Sequence, residues 1–141
     1  MARTKPKKHR VPRTRAGGTL TESAFFGFIR SGLRQKSTRW KPSRDCMTTA
    51  SRPITKEDQK KRGIKYRSEY QCAHCEEWFR PPQVIKGKKK THIAADHIVP
   101  VGSLKTFDDL AGFAERLFVE EEGFQALCTE CHAVKTKEDK R

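Results

Sequence analysis

Apolar residues are sparse in this chain and fall into short groups, each with its own period. From Met1 to Gly18 there is no period: Lys and Arg alternate with Pro, Thr and Gly, which predicts an arm that stays disordered until it meets phosphate. Thr19-Leu20-Thr21-Glu22 reads as a capping box with Thr19 as N-cap and Glu22 three residues on. The helix it opens runs to about Gln35 and places Phe25, Phe28, Ile29 and Leu33 on one packing face. Lys41-Pro42-Ser43 starts a second, short helix that ends near Ala50, and the polar stretch from Ser51 to Lys65, with Pro53 and Gly63, reads as a surface linker.

The period changes after Tyr66. Gln71 to Phe79 predicts a hairpin, and a Lys-rich turn from Lys86 to Lys90 leads into a strand through His92-Ile93-Ala94-Ala95. Leu104, Phe107, Leu110, Phe113, Ala114 and Leu117 recur at helical spacing, so Ser103 to Phe118 reads as a helix. Phe124 to Leu127 is the second strand, and Thr129 or Glu130 begins a last helix that carries His132 and Lys135. The organisation is therefore α+β: a basic arm (1–18), a helical leader (19–50), a linker (51–65) and a small folded unit (66–141).

Composition sharpens this picture in two ways. With only 34% hydrophobic residues, the folded part is small enough to need a staple, and five cysteines with no signal peptide point to metal-bound thiolates in a reducing, cytoplasmic setting. No apolar run is long enough to span a membrane. The charge of +14 is uneven: residues 1–44 hold 13 Lys+Arg against the single acid Glu22, whereas residues 45–141 hold 18 against 16. A polyanion is the partner this implies, and nucleic acid is the first candidate. Arg30, Arg34, Lys36, Arg39 and Lys41 form a basic rim suited to phosphates.

The candidate chemistry lies in three short motifs. Cys72-Ala73-His74-Cys75 and Cys128-Thr129-Glu130-Cys131 are two knuckles of the kind that together close one tetrahedral Zn²⁺ site. The 52 residues between them exceed a simple zinc ribbon, and Asp96-His97-Ile98-Val99-Pro100 lies within that insertion. If the two knuckles share one metal, His132 is fixed just past the ligands and can face Asp96-His97, which describes a second, open metal site. Cys46, outside both knuckles, reads as a small buried hydrophobe.

Tyr70-Gln71-Cys72-Ala73-His74-Cys75, Ala95-Asp96-His97-Ile98-Val99-Pro100 and Gln125-Ala126-Leu127-Cys128-Thr129-Glu130-Cys131-His132-Ala133-Val134-Lys135-Thr136 resemble the HNH endonucleases in their four-cysteine zinc form. The resemblance covers about residues 66–139. Phe25 to Arg34 and Trp40-Lys41-Pro42 are similar, more weakly, to leader segments of tailed-phage HNH proteins. The resemblance implies a ββα-metal (His-Me finger) domain with a structural zinc behind a basic helical leader. It also implies metal-dependent hydrolysis of double-stranded DNA, related to homing or packaging, with no small-molecule cofactor, in the host cytoplasm if the protein is phage-encoded. His97 would be the general base, and Asp96 and His132 the ligands of a catalytic Mg²⁺ or Mn²⁺. Lys135, one turn past His132, would reach a phosphate. The chain departs from the family pattern at the middle Asn, which aligns near Gly123, and contains no Asn anywhere. A zinc-stabilised nucleic-acid-binding protein with a degenerate HNH centre is therefore the alternative, and a ribosome-associated zinc protein a weaker third.

Overall fold

The computed structural model describes residues 8–141; residues 1–7 of the basic arm lie outside the described residues. The arm is ordered further out than its composition suggests. Strand β1 (Arg13–Arg15) pairs antiparallel with β2 (Leu20–Thr21), and the chain reverses through Gly17 and Gly18 at φ 64° and 79°, where a side chain would be strained. Thr19 closes this turn by donating to the Ala16 carbonyl at 2.7 Å. The helix cap consequently passes to Thr21, whose hydroxyl accepts from the Ala24 amide, and α1 runs Glu22–Ser37.

The buried residue of α1 is Phe26, with Phe25, Ile29 and Leu33 packed beside it, whereas Phe28, expected on that face, is 72% exposed. Spacing of 26, 29 and 33 fits one helical stripe as well as the expected set does, and the partner surface decides between them. That partner is α4 (Leu110–Leu117) and the segment before it: Phe26 forms one core with Val101, Leu104, Phe113 and Leu117. The leader is thus part of the folded unit. Helix α4 is shorter than its apolar spacing predicts. Asp109 accepts from the Lys105 and Thr106 amides at 2.9 and 3.1 Å, which holds a single turn at Phe107–Asp109 ahead of the helix and leaves 103–106 extended.

Helix α2 (Lys41–Thr49) leads into a region that is structured where a linker was expected. Strand β3 (Ser51–Pro53) is the edge of an antiparallel sheet β3-β4-β5, with β4 at Ser68–Gln71 and β5 at Trp78–Phe79. Helix α3 (Lys56–Arg62) crosses between β3 and β4, capped by Thr55 and ended by Gly63 in the left-handed region. Its polarity hid it, since all its residues but one are exposed and no apolar stripe marks it. The buried Glu69 of β4 ties the sheet together through Arg52 at 2.7 Å and Arg62 at 3.1 Å.

Hairpin β6 (Gln83–Ile85) and β7 (Lys88–Lys90) turns through Lys86 and Gly87, both at positive φ. The chain then enters the antiparallel ribbon β8 (Ile93–His97) and β9 (Phe124–Cys128), and ends in α5 (Thr129–Asp139). The ribbon register pairs Asp96 with Gln125 and His97 with Phe124. A second core of Cys72, Ile93, Ala126, Leu127 and Cys128 binds the ribbon to the first knuckle, with Met47 and Ala50 of α2 against it.

Candidate metal centres

The four knuckle cysteines come together. Their sulfurs all lie within 4.8 Å of one another, and Cys75 Sγ is 3.9 Å from Cys128 Sγ. A tetrahedral zinc with Zn–S near 2.3 Å sets sulfurs about 3.8 Å apart, so the donor set fits a metal such as zinc. The backbone shapes the first knuckle: the Cys72 amide donates to Glu77 O, Glu76 N returns to Cys72 O, and Ala73 N reaches Ala126 O at 2.8 Å. Glu76 takes a φ of 60° to complete this turn. The second knuckle is the helix start itself, with Cys128 as N-cap of α5 accepting from the Cys131 amide.

The thiols are held at unequal acidity. Burial pushes Cys72 up, but the amides of Cys128, Cys75 and His74 outweigh it and bring this thiol down to about 6. Cys131 is pushed up to about 12, first by its hydrogen bond to Cys128 and then by burial and the neighbouring Cys72 and Cys75. Sulfurs this close cannot all ionise without a cation among them, which is what a structural metal supplies. Cys46 stays outside the cluster, buried, its thiol raised by burial and by the charge of Glu121.

Strand alternation sends Asp96 to the α5 side of the ribbon. There His132 Nε2 stands 3.3 Å from Asp96 Oδ1, and Lys135 Nζ lies 3.1 Å from Oδ2. Helix geometry explains the convergence, since His132 and Lys135 are three apart and share a face. Among the described residues Lys135 is thus the cation that meets the buried Oδ2. A carboxylate and an imidazole side by side are donors that one divalent cation could share. Burial pushes the Lys135 ammonium down, but Asp139 and Asp96 outweigh it and hold it above its ordinary value. A hollow of about 190 Å³ opens beside the pair, floored by Ala94 and Ala95 and reaching Thr91 and Thr129.

His97 does not join them. Its register partner is Phe124, whose ring lies 4.7 Å away on the opposite side of the ribbon from Asp96. Its Nε2 is 2.9 Å from the Leu117 carbonyl at the end of α4. A carbonyl only accepts, so the neutral ring carries its proton on Nε2 and its lone pair on Nδ1. The Gly123 carbonyl accepts from the Ile98 amide at 2.9 Å. No side-chain pattern could have pointed to Leu117, because its contribution is a backbone oxygen.

Of the expected phosphate contacts, Arg30, Arg34, Lys36 and Arg39 are exposed, whereas Lys41 is paired with Asp45 at 2.6 Å and Lys135 with Asp96 and Asp139. His74 is exposed, and His92 lies just before β8, its Nε2 3.2 Å from Gln83 Nε2. No helix among the described residues is long and apolar enough to cross a membrane. In comparisons with protein-family models, curated proteins and solved structures, the chain matches none.

Proposed function

We propose that this chain is a metal-dependent endonuclease of the HNH type acting on double-stranded DNA. In this reading β8, β9 and α5 are the ββα-metal unit, and Cys72, Cys75, Cys128 and Cys131 hold a structural zinc. The observation that carries it is the 3.3 Å approach of Asp96 to His132 across strand and helix, with Lys135 3.1 Å from the other carboxylate oxygen. A bound Mg²⁺ or Mn²⁺ would offset the negative charge that develops on a phosphodiester as it is attacked. Asp96 and His132 would hold that ion from two elements, and a two-ligand site leaves positions for water and phosphate. Lys135 neutralises Asp96 meanwhile and, once released, is placed to meet a phosphate oxygen. His97 would take the proton of the attacking water on Nδ1, with Leu117 fixing the tautomer.

Two observations favour a second reading, a zinc-stabilised DNA-binding protein that does not cut. His97 and Asp96 face opposite sides of the ribbon, and the chain has no Asn to brace the loop between α4 and β9. Plasmid nicking decides between the two. The endonuclease reading expects relaxed circles with Mg²⁺ or Mn²⁺, none when the cation is left out, and loss of nicking in Asp96→Ala and His132→Ala that raised Mn²⁺ partly restores. Wild-type protein with full zinc content that nicks no duplex under any divalent cation would leave the binding reading.

A further inference from the structure

The β6–β7 hairpin is a charged feature that neither metal centre uses. Among the described residues it pairs with no third strand. Lys86, Lys88, Lys89 and Lys90 are exposed and enter no ion pair among the described residues, and no acid occurs between Phe79 and Asp96. Edge lysines also keep hairpins from pairing with other chains, which alone would account for the charge. It does not account for Val84, 72% exposed, and Ile85, 46% exposed, left in water among them.

The surroundings give the hairpin a direction. The register sets Val84 opposite Lys89 on one face, and Lys89 lines a hollow of about 560 Å³ whose α2 wall supplies Arg44. Ile93, Ala94 and Ala95 of β8 line this hollow, and the same three residues line the smaller hollow that ends at Asp96 and His132. Two cations therefore line a hollow that borders β8, the strand that carries Asp96.

We propose that the β6–β7 hairpin is a duplex-DNA arm. Its lysines and Arg44 grip phosphates on one side of the cut, and Val84, on the Lys89 face, sits against the groove that a two-stranded ribbon fits. The position of the cut rests on the endonuclease reading; the binding role does not. Lys89 and Asp96 are seven positions apart, so their Cα atoms lie at most about 23 Å apart at ~3.3 Å each, and a phosphate gripped by Lys89 lies within about one helical turn of the scissile bond.

The test is a full-length variant with Lys86, Lys88, Lys89 and Lys90 all replaced by Gln, titrated with a blunt DNA duplex across a salt series without divalent cations. The slope of log affinity against log salt should flatten by up to about 3.6, roughly 0.9 for each lysine on phosphate, with zinc content unchanged. A footprint should lose protection on one side of the cut only. An unchanged slope overturns the arm, as does a structured RNA that competes as well as duplex DNA. If the fourfold variant loses its zinc, the single substitutions Lys89→Glu and Arg44→Glu decide, each expected to weaken duplex binding by about tenfold or more at low salt. A wild type that nicks DNA beside a variant with an unaltered slope removes the arm and leaves the nuclease. A wild type that never nicks beside a variant with a flattened slope does the reverse.

Discussion

Gly123 is held tightly by its surroundings: a Cβ there would lie 2.5 Å from Val119 Cγ2 and 2.7 Å from Val119 Cβ. Val119 has little room to retreat, because its carbonyl accepts from Trp40 Nε1 at 2.6 Å. Gly123→Asn should therefore destabilise the chain by about 1–3 kcal/mol through overpacking. Thermal unfolding checks this, with Val119→Ala in the same chain recovering part of the loss; an unchanged melting temperature would show that the loop yields. His97 makes the second residue-scale prediction. On the endonuclease reading, His97→Ala should slow cutting roughly 10²–10⁴-fold with metal affinity intact, the usual worth of a positioned base. Single-turnover rates across a Mn²⁺ series measure it, and a defect that Mn²⁺ repairs as fully as that of Asp96→Ala would take the base role from His97.

At the scale of elements, the two metal knuckles and the β3-β4-β5 sheet are the parts whose stability can be tuned. Cys131→Ser should release the metal and unfold β8, β9 and α5, because metal binding to such a cluster is folding free energy. Metal analysis together with circular dichroism checks this; a protein that stays folded with no metal would overturn it. The sheet makes a pH prediction. Burial pushes the Glu69 carboxyl up, but Arg62 and Arg52 outweigh it and hold it below its ordinary value of 4.5. A depressed carboxylate contributes stability above that ordinary value, and the contribution is lost as pH falls through the lower folded value. Glu69→Gln should accordingly cost about 2 kcal/mol at pH 7, the worth of hydrogen bonds to a charged group. The difference between the two proteins should shrink below pH 4.5, as denaturant titrations at several pH values would show.

Over the whole molecule, the leader and the unit that carries the cysteine cluster share their core. Phe26 is 2% exposed against Leu104, Phe113 and Leu117, and α2 lies on the β8–β9 ribbon through Met47 and Ala50. Removing residues 1–50 should thus unfold the remainder instead of freeing an intact nuclease unit, since it strips a wall from each core. Far-UV circular dichroism and metal retention of the fragment test it; a folded, metal-loaded fragment would restore the leader as an appendage. What the sequence alone determined was local or compositional. The knuckle spacing, the helix that starts at the second knuckle, the two strands before it and the concentration of positive charge before residue 45 are all legible within a few residues or by counting. The structure decided what depends on partners far along the chain. It turned Phe26 inward in place of Phe28, brought Lys135 and His132 to Asp96, gave His97 the carbonyl of Leu117, and made an ordered helix of the polar stretch at Lys56–Arg62. The reason is physical: short-range periods and caps state which conformations a segment can hold, whereas a packed core selects among them by which surface arrives opposite.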